Sequence, residues 1–430
     1  MKNEEKKLTF IDLFAGLGGF HVALESLGHE CDFASEINDN LRKLYKENHG
    51  ISCHGDIYSI AVENIPKHDI ICAGFPCQPF SKAGKRYGLD DPNNGNFFNR
   101  IMEIVDQHNP EYIFLENVPN LKGHDDGHTW KYIYKMLSKN YDVQEKIISP
   151  HKFGIPQHRA RIYIVCRLRS KGGLNHFTFP KETINENQSI LSIIEKDPKE
   201  YTPIKKISLN HLEVWQEFLN HLEPKDVPRF PIWAMEFGAT YPFENEAPIN
   251  LSVSDLRKYR GRFGEKITGE SKDELMEKLP NYARTNQKEF PQWKKYYIRA
   301  NREFYLSNIS WLDNWLDKIK NFENSHQKLE WNCGNKMDLS IKDKIVQFRP
   351  SGIRVKKPDF SPALVLTSTQ IPIFPWLGRY MTTKEAARLQ CMDTIKKFPE
   401  STPKAFRAFG NAVNVCVVQK IAKNLIYEGD

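Results

Sequence analysis

The chain has 430 residues, too many for one core, and its 40% hydrophobic and 27% charged residues describe an ordinary globular protein of two or three domains. No run of eighteen apolar residues occurs, which excludes a conventional membrane-spanning helix, and the charged start Met1–Lys7 lacks the apolar stretch of a secretory signal. A net charge of +7 fits a polyanionic partner without demanding one. The eight cysteines, Cys31, Cys53, Cys72, Cys77, Cys166, Cys333, Cys391 and Cys416, include no Cys-x-x-Cys pair. Neither a zinc or other metal site nor a small disulfide framework is therefore expected, and a reducing cytoplasm is the simplest setting.

In chain order, residues 8–14 read as a buried strand, 16–19 as a tight turn and 20–27 as a helix stopped by Gly28. Strand-like runs follow at 31–37, 69–73, 112–115 and 161–167. Such alternation predicts an α/β domain with a largely parallel sheet. From about 180 to 340 the chain is rich in Lys, Glu, Asn, Trp and Pro and shows no clear period, which predicts a separate mixed domain. Thr382-Thr-Lys-Glu385 fits a capping box. Residues 413–426 read as a terminal helix that needs a surface to pack on, and the α/β domain is the obvious one.

Several local patterns carry chemistry. Phe14-Ala-Gly-Leu-Gly-Gly19 joins a strand to a helix, where glycines permit a sharp turn and a close ligand. Glu36 ends the second strand, a place from which a carboxylate can hold ribose hydroxyls. Asp56 could accept from an adenine amine, and Asn411 could close the same pocket. The spacing is not Gly-x-Gly-x-x-Gly, so a nucleoside without a phosphate chain suits it better than a dinucleotide; a plain strand–helix turn is the alternative. Gly74-Phe-Pro-Cys-Gln-Pro-Phe-Ser81 puts Cys77 on a loop at a strand's carboxyl end, stiffened by Pro76 and Pro79. Glu116-Asn-Val118 faces the same side if the two strands are neighbours, or else is a structural carboxylate paired with an arginine. Arg159 and Arg161, two apart, share a face of an extended segment or simply decorate a solvated strand end.

In this order the segments resemble the bacterial-type DNA cytosine-C5 methyltransferase family. Phe14–Gly19 is similar to its first motif, Pro76-Cys77-Gln78 to its nucleophile motif and Glu116-Asn-Val118 to its glutamate motif. Gln157-x-Arg-x-Arg161 is similar to its arginine motif, and Arg388-Leu-Gln390 and Gly410-Asn-Ala-Val413 to its last two. One departure is Val415, in a stretch where many relatives have proline. The resemblance implies a Rossmann-like, S-adenosylmethionine-dependent methyltransferase sheet with helices on both faces, plus a smaller mixed target-recognition domain. The expected division is residues 1–180 and 405–430 for the catalytic domain and 181–404 for target recognition with a hinge segment.

By the same resemblance Cys77 is the nucleophile. Glu116 contacts cytosine N3 and the exocyclic amine, which calls for a raised carboxyl pKa. Arg161 holds O2, Arg159 contacts phosphate or orders the loop, and Asn117 braces the site. The implied cofactor contacts are Phe14, Gly16, Gly19, Glu36, Ile37, Asp56, Ile57, Pro76, Asn411 and Val413. The glycine-rich basic loop after Cys77 reads as a lid, with Gln78, Ser81, Lys85 and Arg86 on DNA. Residues 341–360 hold six Lys/Arg, among which Arg349, together with Ser351 and Arg354, is a candidate for base-edge or phosphate contact. Implied partners are double-stranded DNA and, functionally, a restriction endonuclease. One chain carries every motif, so a monomer is expected, in a bacterial cytoplasm and at the nucleoid through DNA. An RNA (tRNA) cytosine methyltransferase, a non-catalytic DNA-binding relative and a cysteine hydrolase compete; the last lacks a recognisable histidine setting around Cys77.

Overall fold

The computed structural model describes residues 7–76, 97–183, 189–336, 338–364 and 370–427. They belong to two compact units, residues 1–200, 359–368 and 382–430 in the first and 201–358 and 369–381 in the second.

The first unit contains β1 (Thr9–Leu13), β2 (Glu30–Ser35), β3 (Cys53–His54), β4 (Ile70–Gly74), β5 (Tyr112–Asn117), β6 (Tyr141–Ile148), β7 (Gln157–His158) and β8 (Arg161–Leu168). All but β7 form a sheet in the order β3-β2-β1-β4-β5-β8-β6. The pairings among β1 to β5 are parallel, and β8 runs antiparallel to both β5 and β6. β1, β4 and β5 are apolar along almost their whole length because helices cover both faces of a parallel sheet. Ile71, Ala73, Ile113 and Leu115 pack with Phe98, Ile101 and Val105 of α3 (Phe97–His108) and with Ile133 and Leu137 of α4 (His128–Leu137). The larger of these side chains stabilise the fold by roughly 1.5–3 kcal/mol each. α1 (Gly19–Glu25) and α2 (Asp39–His49) lie earlier in the chain. Asn38 caps α2 by accepting from Asn40 and Leu41 N–H, and Gly50 ends it in the left-handed conformation.

The second unit holds α5 (Lys206–Asn220), α6 (Val253–Leu256), α7 (Lys272–Glu277) and the long α8 (Gln292–Ile319). α8 bends at Asn308, whose φ of −129° is not helical. Strands β9 (Ile232–Trp233), β10 (Lys328–Asn332), β11 (Ile345–Arg349), β12 (Gly352–Lys356), β14 (Ile373–Phe374) and β15 (Arg379–Tyr380) form a second sheet, ordered β15-β14-β11-β12-β10-β9; β13 (Ser361–Pro362) instead pairs with β7 in the first unit. Alternation along β10, β11 and β12 puts Leu329, Trp331, Val346, Phe348, Ile353 and Val355 into a core with Trp215, Phe218 and Trp315. Glu330, Gln347, Arg349 and Arg354 take the opposite face. β11 and β12 join through Pro350 and Ser351, with Arg349 opposite Gly352. Gly352 is at φ +140°, and a Cβ there would lie 3.0 Å from Lys328 Cβ. Cavities of about 460 and 620 Å³ in this unit are lined by its own residues alone.

The remaining helices, α9 (Thr383–Leu389), α10 (Thr402–Asn411) and α11 (Val415–Tyr427), belong to the first unit. The capping box forms: Thr382 Oγ1 accepts from Glu385 N–H, and the Glu385 carboxylate accepts from Thr382 N–H. α11 packs on α1, so the first unit is discontinuous in sequence. Its boundaries differ from those read in the sequence. Residues 382–404 join it because Gln390 accepts from Val415 N–H at 3.1 Å and Asn48 Oδ1 accepts from the N–H groups of Lys396 and Lys397. Residues 189–200 do so because Arg388 Nη1 donates to Ile193 O at 2.9 Å and Glu195 N–H donates to Glu385. One disulfide was not anticipated. Cys391 and Cys416 are bonded, because the Val415–Gln390 backbone contact lays the end of α9 beside the start of α11.

Candidate active site

The carboxyl ends of β1 and β2 lie side by side, with Leu13 opposite Ser35. Phe14 and Gly16 both have φ of +56° and Gly18 has +83°, so the chain reverses tightly after β1. That reversal aims Gly16 N–H at Glu36 Oε2, 3.0 Å away, while Glu36 Oε1 accepts from Asn38 N–H at 2.9 Å. Each carboxylate oxygen keeps a second lone pair, which ribose hydroxyls can use. Ile37 beside it is 72% exposed, an apolar surface in water. Asp56 follows β3 and accepts from Tyr58 N–H at 3.0 Å, and Ile57 is buried. Phe97 meets Phe14 edge to face at 5.2 Å and Tyr58 at 5.8 Å. Two half-satisfied carboxylates, an exposed Ile37 and an aromatic edge suit a nucleoside carrying positive charge. Phe97, Tyr58 and Arg42, whose guanidinium donates to the Glu36 and Ile37 carbonyls, were not anticipated. The Phe-Phe-x-x-Ile-Met pattern from residue 97 is helical in period and would have exposed Phe97.

The C-terminal segment closes against this turn. A Cβ on Gly19 would lie 2.6 Å from Val413 Cγ2 and 2.9 Å from Val413 O, and one on Gly74 would lie 3.4 Å from Val413 Cγ1. Glycine is what allows Val413 to sit between the two strand ends. Arg159, 3% exposed, donates from Nη2 to Ala412 O at 3.0 Å, and its N–H donates to Ser149 Oγ. Its guanidinium is thus turned inward onto the backbone rather than outward to a phosphate. Asn411, the last residue of α10, is exposed.

Glu116 and Asn117 end β5, directly beside the end of β4. Gly74 pairs with Glu116, so the two strands are neighbours. Asn117 Nδ2 donates to Phe75 O at 3.2 Å and its Oδ1 accepts from Val118 N–H at 2.8 Å. The last residue of β5 therefore holds the backbone that leads to Pro76. Cys77, Gln78, Ser81, Lys85 and Arg86 lie outside the described residues. Glu116 is 5% exposed, and Arg161 Nε stands 3.1 Å from its Oε1. The approach is that of an ion pair, and Oε1 accepts no hydrogen bond among the described residues. Burial raises the Glu116 pKa, while Arg161 and then Arg159 pull it down; burial dominates. Burial thus makes the protonated carboxyl easier to reach than it is in water, while Arg161 and Arg159 hold the charged form against it.

Residues 8–427 match the family model for C-5 cytosine-specific DNA methylase. The Type II methyltransferase M.MspI of Moraxella sp. is 40% identical over 204 residues, 47% of this chain and 48% of that protein. The Type II methyltransferase M.AluI of Cellulosimicrobium cellulans is 28% identical over 98% of this chain and 92% of its own. The chain spans about half the length of several relatives it matches, M.MspI among them. The solved methyltransferase EhMeth of Entamoeba histolytica superposes over 99% of each chain with a TM-score of 0.52 at 16% identity, a likeness of fold. With the family model matched almost from end to end, the chain belongs to the C-5 cytosine-specific DNA methylases.

Proposed function

We propose that this protein is a DNA (cytosine-5-)-methyltransferase that modifies a flipped-out cytosine within a short duplex sequence through a covalent Cys77–C6 adduct. The observation that carries the reading is the buried Glu116 carboxyl, 3.1 Å from Arg161 Nε and beside the strand end that leads into Pro76-Cys77. Cytosine C5 is a poor nucleophile until the ring loses conjugation. Addition of the Cys77 thiolate to C6 makes C5 enamine-like, and a proton from Glu116 to N3 stabilises the charge that develops. Arg161 holds O2. Once the methyl has passed to C5 and its bond to sulfur has broken, a water takes the C5 proton, the thiolate leaves C6 and N3 returns its proton to Glu116, which restores the aromatic ring. S-adenosylmethionine, when bound, would be held by Glu36, Asp56, Ile37 and Phe14 and would supply the sulfonium methyl, with its thioether as the leaving group. The target carbon is hidden in a duplex, so the base leaves the stack at a cost of a few kcal/mol.

The relatives named as Type II methyltransferases support a place in a restriction–modification system, beside an endonuclease, in a bacterial cytoplasm at the nucleoid. One chain carries every motif, which supports a monomer on duplex DNA. The test is transfer of label from S-adenosylmethionine to duplex DNA and tRNA offered in parallel, with the modified base mapped by bisulfite sequencing. Label at cytosine C5 in one short duplex site is expected, and Cys77→Ala should abolish it while DNA binding persists. Label in tRNA alone would replace the substrate, and full methylation by Cys77→Ala would overturn the mechanism.

A further inference from the structure

On the polar face of the second unit's sheet, one carboxylate oxygen organises two arginines. Glu330 sits mid-strand in β10 and pairs with Arg354 of β12. Its Oε2 accepts from Arg354 Nε at 2.8 Å and from Arg349 Nη1 at 3.0 Å, with Asn332 Nδ2 more distant at 3.5 Å. Arg349 Nη2 also donates to Ser351 Oγ at 2.6 Å. Gln347, opposite Arg354 on the other side, is committed to the backbone: its Nε2 donates to Gln370 O at 2.8 Å. All three charged side chains are largely buried, 18% exposed at Arg349, 20% at Glu330 and 30% at Arg354. Among the described residues, neither Nη group of Arg354 has a hydrogen-bond partner.

We infer that Glu330 is a positioning residue for sequence readout, aiming Arg349 and Arg354 as a rigid pair at base edges. The inference rests on the proposed duplex-DNA substrate and on this face meeting it. A carboxylate between two arginines is a poor device for phosphate binding, since it cancels one positive charge and repels the backbone. It is a good device for aim. Two guanidiniums on one sheet face would otherwise repel and splay, each with several rotamers to choose from. Held through Nε, Arg354 presents both Nη groups in the flat fork that matches guanine O6 and N7. The carboxylate also penalises any base that offers an acceptor in its direction, so discrimination gains from repulsion as well as attraction.

The test compares full-length wild type with Glu330→Gln, which keeps shape and removes charge, and Glu330→Asp, which keeps charge and shortens reach. Each is assayed for kcat/KM and for DNA binding on a duplex carrying the mapped site and on duplexes with one base pair changed. Both variants should lose about tenfold in the ratio of correct to altered site, the size of one misaligned bidentate contact. Glu330→Gln should hold nonspecific DNA as tightly as wild type or tighter, with a steeper salt dependence. Retained discrimination in both variants would overturn the inference. So would an equal Glu330→Gln effect in an Arg349→Ala/Arg354→Ala background, since Glu330 would then not act through them. If the two arginine substitutions change binding to neither duplex, the face itself does not meet DNA and the underlying reading fails instead. Melting temperatures of every variant separate these outcomes from loss of fold.

Discussion

The two units fix their functional side chains in different ways. In the first, they are tied to backbone: Glu36 to Gly16 N–H, Asn117 to Phe75 O, Arg159 to Ala412 O. These ties sit at the ends of strands buried on both faces, so moving the side chain means moving the sheet. In the second, Glu330, Arg349, Arg354 and Ser351 are tied mainly to one another on one face of a sheet whose other face makes the core. Such a set can be exchanged while the sheet stays. One arrangement suits chemistry that must stay the same, the other a reading surface that must differ between enzymes. Substitutions in the first unit should then slow methylation at every site alike, and substitutions in the second should change which sites are methylated.

Glu116→Gln should break the first half of that comparison most sharply. Loss of a positioned, ionisable donor at a charge-developing atom costs about 10²–10³ in kcat, with discrimination between sites unchanged. The pH profile gives the sign. The pKa is raised, so the protonated form is complete at low pH and is lost as pH rises through it, and any folding stability tied to that proton follows the same direction. Activity should therefore fall on the alkaline side of a raised carboxyl pKa. Arg161→Ala removes the larger of the two lowering charges and should move that limb to higher pH, while Glu116→Gln should erase it. A limb that survives Glu116→Gln belongs to another group.

The contrast also explains what was legible in the sequence. β1, β4, β5 and β8 were readable because each is a short apolar run, and the residues at their ends were readable because turns and prolines mark them. Arg159 was readable as a site residue but its partner was not, since Ala412 lies 253 positions away and offers only a carbonyl. Cys391 and Cys416, 25 residues apart, were missed because no short Cys-x-x-Cys spacing marks them as a pair. In the second unit β9, β14 and β15 have two residues each, too short for any alternation to register. β10 to β12 do alternate, in Lys-Leu-Glu-Trp-Asn and its neighbours, but between charged segments the pattern was overlooked. Arg349 and Arg354 stood out by charge type alone. Glu330, which gives them direction, could be found only once the register was known.

Arg159→Ala should have the next largest effect, and on folding before chemistry. It takes a buried donor from Ala412 O, and an unmet buried carbonyl costs about 1–3 kcal/mol. Melting should move down by several degrees, and kcat/KM should fall by the same factor on correct and altered sites. Arg159→Lys keeps a charge and a single donor and should recover part of the melting temperature. A variant that melts normally but binds all duplexes weakly would instead give Arg159 a phosphate contact.

Ser351→Ala should have the smallest effect and sharpens the other half of the comparison. Ser351 Oγ accepts from Arg349 Nη2, while Nη1 of the same arginine remains on Glu330. A hydrogen bond from a charged donor contributes about 1.5–3 kcal/mol when shielded, but this one is exposed and water can replace most of it. Discrimination between sites should therefore drop by no more than about fivefold, well below the loss on Arg349→Ala, with kcat on the correct site unchanged. If Ser351 acts only by steadying Arg349, its effect should vanish in an Arg349→Ala background. An effect that persists there, or that rivals Arg349→Ala alone, would mean that the hydroxyl touches DNA itself, and the turn between β11 and β12 would then belong to the reading surface alongside the arginines it supports.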